Sequence, residues 1–90
     1  MSAKGITLTF HIDPGHGWLA VDVVTAADIG LTPEDFSNCS YSLGTTLYLE
    51  EDCDAPLFAT NWRNLGREFK TKTIYHDNEC FVRNLNRIHN

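Results

Sequence analysis

Ile6-Thr-Leu-Thr-Phe-His-Ile12 alternates apolar and polar residues without a break, and no other stretch of this chain limits its fold so tightly. A period of two places Ile6, Leu8, Phe10 and Ile12 on one side of an extended backbone, the pattern of a strand with one face against a core. Asp13-Pro-Gly-His-Gly17 follows, and Pro, two Gly and Asp in five residues are turn chemistry. From Trp18 to Val24 the strand pattern resumes, with Leu19, Val21 and Val23 facing inward. The two runs are therefore expected to form an antiparallel hairpin.

Beyond the hairpin the signals are shorter. Thr25 to Gly30 reads as a helical turn closed by glycine, and Thr32-Pro-Glu-Asp35 as a second one with Thr32 at the N-cap and Pro33 at the first position. Tyr41–Leu43 and Thr46–Glu50 are expected strands, separated by Gly44-Thr45. The main helix is expected to start at Asp54 as its cap, to carry Leu57, Phe58, Trp62 and Leu65 at helical spacing, and to end at Gly66. Glu68 to Tyr75 and Cys80 to Ile88 read as a second hairpin around His76-Asp-Asn-Glu79. The order β-β-α-β-α-β-β predicts an α+β fold, a small antiparallel sheet with one main helix packed on one face, as a single domain over residues 1–90.

Ninety residues leave no room for a second core. Ten aromatic residues and a net charge of -5 argue against disorder. No apolar run approaches the roughly 20 residues of a membrane span, and Met1-Ser-Ala-Lys-Gly5 reads as no signal peptide. The cytoplasm is the expected compartment. Three cysteines, Cys39, Cys53 and Cys80, form no C-x-x-C pair and no even set, so they are expected to be reduced thiols acting as small apolar fillers. Cys53 lies among acids, which raises a thiol pKa and makes it a poor nucleophile.

The net charge conceals an asymmetry. Residues 1–62 hold nine acids against Lys4 alone, a balance of -8, and residues 63–90 hold six bases against three acids, a balance of +3. Two outcomes follow: an acidic and a basic end, or two halves that interleave in one sheet and neutralise each other. Duplex DNA is not an expected partner for a chain of pI about 5.1.

Three places have residues suited to chemistry. His11, Asp13 and His16 put two imidazoles and a carboxylate within six residues, enough to hold a divalent ion. The competing readings are a turn in which Asp13 merely bonds amides, and a metal-free ligand site flanked by Trp18. Next, Glu50, Glu51 and Asp52 precede Asp54 in an acidic run without EF-hand spacing, either a solvated loop, a surface for a basic partner or a metal or acid–base site. Last comes a basic and aromatic set that includes Lys70, Tyr75, His76, Phe81, Arg83 and Arg87. Arginines beside aromatics suit phosphate and nucleobase recognition, although an ordinary charged sheet face has the same composition. No Walker loop, dinucleotide fingerprint or G-x-S-x-G is present.

Phe10-His-Ile-Asp-Pro-Gly-His-Gly-Trp18, Ser40-Tyr-Ser42, Tyr48-Leu-Glu-Glu-Asp-Cys-Asp54 and Val82-Arg83 together resemble a family of small proteins of bacteriophages and bacterial plasmids. The resemblance implies a mobile-element origin and carries over neither an activity nor a catalytic residue. It favours an accessory protein acting in an infected or plasmid-bearing bacterium. The expectation is a non-enzymatic protein, without cofactor, that binds a host protein or sequesters a nucleotide-like ligand, with the countering of bacterial defence as the role this implies. His11, Asp13, His16, Trp18, Glu50, Glu51, Asp52, Arg83 and Arg87 are the candidate binding residues. A chain this short would be expected to form its pocket at a homo-oligomer seam. The rival expectations are a small metal-dependent hydrolase using His11, Asp13 and His16, with Glu50 or Glu51 as base, and a regulator or assembly factor of its own element.

Overall fold

A computed structural model describes residues 5–89. The chain forms β1 (Ile6–Ile12), β2 (Gly17–Asp22), α1 (Val23–Ala27), β3 (Tyr41–Leu43), β4 (Thr46–Glu50), α2 (Asp54–Asn64), β5 (Phe69–Tyr75) and β6 (Asn86–Arg87). Single 3-10 turns lie at Pro33–Asp35 and Phe81–Asn84. The six strands form one sheet in the order β5-β1-β2-β4-β3-β6, so the architecture is α+β with one main helix.

The first hairpin forms as the alternation predicts, with Phe10 opposite Leu19 and Ile12 opposite Gly17. Its second strand stops two residues early. Asp22 takes the N-cap position, its carboxylate accepting from the Val24 amide at 3.0 Å, and Val23 begins a helix in place of extending the strand. Thr32 and Pro33 open the following 3-10 turn as expected.

The sheet is mixed, where the sequence suggests an all-antiparallel one. β5 pairs with β1 in parallel, from Ile6–Phe69 to Ile12–Tyr75, and makes no hairpin with the residues after it. The cause is α2. Its 11 residues carry the chain about 16 Å back along the sheet, so β5 starts at the same end as β4 and runs in the same direction. Residues 80–88 yield only a 3-10 turn and the two-residue β6, which pairs with β3 at the opposite edge. The basic C-terminal third thus flanks both edges of an acidic sheet, and Arg67–Asp28 (2.7 Å) and Arg83–Asp13 (2.7 Å) join the two halves. Interleaving, and not segregation, is the outcome of the charge asymmetry.

Both faces of the central strands are covered. On one face, Leu8, Leu19, Val21, Leu47 and Leu49 pack with Phe58 and Trp62 of α2 and with Ala26, Leu31 and Phe36. Phe58 and Trp62 stack at 5.4 Å between ring centres, whereas Leu57 and Leu65, expected on the same stripe, are exposed. On the other face Trp18, Tyr48, Cys80 and Val82 form a second cluster, with Ala20, Tyr41 and Leu85 against it. The C-terminal segment is the lid of that second layer. Period-two reasoning assigns this face to solvent, and the apolar residues of residues 80–85 cover it.

Gly17 shows how closely the first face is packed. A Cβ there would run into Cζ of Phe10 and come within 2.8 Å of Cε2. Gly17→Ala should therefore cost about 1–3 kcal/mol through displacement of the Phe10 ring. Urea denaturation checks this, the expected result being a lower midpoint at unchanged slope.

Candidate functional site

The turn after β1 is organised by one carboxylate. Oδ1 of Asp13 accepts from the amides of Gly15 and His16, both at 2.9 Å, and from Nη2 of Arg83 at 2.9 Å. Oδ2 accepts from Nε of Arg83 at 2.7 Å and from the Cys80 amide at 2.9 Å. The Asp13 side chain is 1% exposed. Arg83 holds its carboxyl well below the usual carboxylate range, with the Cys80, His16 and Gly15 amides adding to the effect and burial opposing it. Gly15 leaves room for the pair, since a Cβ there would stand 2.8 Å from Nη2 of Arg83.

Asp13 bonds the turn amides, as one of the readings of the sequence has it, and the rival metal cluster of His11, Asp13 and His16 does not form, because its three side chains go to three different partners. Asp13 is fully occupied by Arg83 and the amides. Nδ1 of His11 lies 3.1 Å from Nε2 of His76, and burial, then the neighbouring His76, lower the His11 pKa. Nδ1 of His16 lies 3.3 Å from Oε2 of Glu50.

Six of the nine expected site residues nevertheless meet. His16, Trp18, Glu50, Asp52, Arg83 and Arg87 line a cleft of about 400 Å³ within a single chain. Arg83 lies over the Trp18 ring at 5.3 Å and Arg87 over Tyr41 at 4.5 Å. Arg87 also donates to the Asn38 carbonyl at 2.8 Å. The acidic run is not one surface. Glu50 is buried, and its carboxylate accepts from the Asp52 amide at 2.8 Å, while Asp52 is exposed. Glu51 stands outside the cleft lining. One buried donor, Nε1 of Trp18, has no partner among the described residues.

Three lining residues escape the sequence reading: Tyr41, Cys39 and Cys53. Only Cys80 is a buried filler; Cys39 and Cys53 are exposed, with Sγ atoms 3.1 Å apart. The Cys53 thiol is pushed up to about 12, first by its bond with Cys39, then by desolvation, with Glu50 contributing less. Asp54, expected as a helix cap, instead holds the loop that carries Cys39: it accepts from the Ser37 amide (2.9 Å), the Ser37 hydroxyl (2.8 Å) and the Ser40 hydroxyl. A second cleft of about 410 Å³, largely apolar, runs between α2 and the β1–β5 edge, with Phe10, Leu19, Ala55 and Phe69 in its lining.

Compared with protein-family models, curated proteins and solved structures, the chain finds no match. No helix among the described residues is long and apolar enough to cross a membrane.

The Asp13 pair sets an acid limit. A carboxyl whose pKa is depressed on folding stabilises the fold above its unfolded value of about 4, and that contribution is lost as pH falls below this value towards the folded one. Asp13→Asn should flatten the fall in stability below about pH 4, as read by urea midpoints across pH. At neutral pH, Asp13→Ala should lower Tm by about 10 °C or more, because Arg83 and three amides lose their acceptor.

Proposed function

We propose that this chain is a non-enzymatic accessory protein of a phage or plasmid that works by binding, and that its cleft takes a small nucleotide-like ligand in the cytoplasm of the host bacterium. The convergence of His16, Trp18, Glu50, Asp52, Arg83 and Arg87 on one cleft is the observation that carries this reading. A nucleotide is anionic at one end and rich in N–H donors at the other. Arg83 and Arg87 suit the phosphate, the more so because Asp13 and Tyr41 already orient their guanidinium planes. Glu50 and Asp52 suit the donors of a base. Imitation of nucleic acid by the acidic run is the weaker version, since Glu50 is buried and bonded within the chain.

Isothermal titration of the full chain with inorganic phosphate, nucleoside monophosphates and cyclic dinucleotides tests the proposal. The expected result is binding of at least one nucleotide, weakened about 10- to 100-fold by Arg87→Ala and similarly by Glu50→Gln. No heat with any of them at millimolar concentration, or affinity indifferent to both substitutions, would contradict it.

A further inference from the structure

His11, His76 and Cys80 have no part in the cleft, yet β1 and the segment after β5 bring them together. Nδ1 or Nε2 of each histidine and Sγ of Cys80 all lie within 4.8 Å of one another, and the two imidazoles approach to 3.1 Å. Four-coordinate zinc with nitrogen and thiolate ligands needs donor atoms about 3.3–3.6 Å apart, so small side-chain rotations close the set. The geometry points to a zinc-class metal site formed by His11, His76 and Cys80, with a fourth position left for water.

The backbone behind each ligand is fixed independently. His11 sits in β1 between its partners Trp18 and Ile74. The His76 amide donates to the Ile12 carbonyl at 2.8 Å, and the Cys80 amide donates to Asp13 at 2.9 Å. Residues 77–79 thus loop between two anchored ligands, and the metal-free pair is held by a hydrogen bond that a cation would replace. The chemistry of the donors fits as well. Zinc favours neutral imidazole and thiolate, and binding would release the Cys80 thiol proton to solvent. Cys80 is completely buried, its thiol makes no hydrogen bond among the described residues, and beside His11 the Phe81 ring packs edge-on and the Tyr48 ring tilted. His76 is half-buried and Phe81 is 41% exposed, which leaves a path for the ion. Bound metal would tie residues 76–80 to β1 without depending on any ligand in the cleft.

Cobalt(II) titration of the chelator-treated full chain tests the site, because cobalt reports thiolate ligation and coordination number by its absorption. The expected result is one equivalent bound per chain, with a sulfur-to-cobalt charge-transfer band and the visible bands of a four-coordinate ion, both displaced by zinc. His76→Ala, a partly exposed position, should weaken binding by at least about tenfold, and Cys80→Ser should abolish the charge-transfer band. The double variant Cys39→Ser, Cys53→Ser should retain it. Absence of the bands, an unchanged cobalt affinity in His76→Ala, or loss of the bands in the double variant would overturn the proposal. Circular dichroism separates lost ligation from lost folding, and His76→Ala decides the matter if Cys80→Ser does not fold.

Discussion

The Asp13 carboxylate is the point on which the rest of the structure depends. It closes the β1–β2 turn through two amides and fastens the C-terminal segment through the Cys80 amide and Arg83. Five donors on one buried carboxylate compensate the desolvation that would otherwise make such a charge costly. Val82 and Cys80 then cover the sheet face that Trp18 and Tyr48 present. With that lid in place, Arg83 stands over Trp18 as one wall of the cleft. Fold and site share a single electrostatic origin.

Local pattern made part of this legible in advance. β1, its turn, β4 and the start of α2 follow from alternation and helical signals, which depend on neighbours in sequence. The direction of β5 does not, because it is decided by how far α2 returns the chain. His76-Asp-Asn-Glu79 looks like a hairpin turn, but the His76 amide bonds to the Ile12 carbonyl and the chain goes on to cover the sheet. Asp54 misleads for a similar reason: a carboxylate at a helix start is usually a cap, and here Ser37 and Ser40 compete for it across the fold.

The candidate site was legible as a set of residue types and not as a geometry. Turn chemistry identified Asp13, and charge identified Glu50, Arg83 and Arg87. His11 and His16 are neighbours in sequence but point to His76 and Glu50 respectively, so the motif that looks like one site divides into two. Only side chains arriving from residues 76–80 and 50 reveal the division. The opposed charges of the two halves of the chain acquire a meaning here as well, since acidic and basic residues from both halves line the one cleft.

The central claim is that the Asp13–Arg83 pair holds the C-terminal segment on the sheet. Native-state hydrogen exchange on Arg83→Met, compared with the unsubstituted chain, tests this most directly. The account predicts that the Cys80, Arg83 and Leu85 amides lose protection through local opening, while the β1–β2 and β2–β4 ladders keep theirs. Unchanged protection over residues 80–85, or an equal loss throughout the sheet, would contradict it.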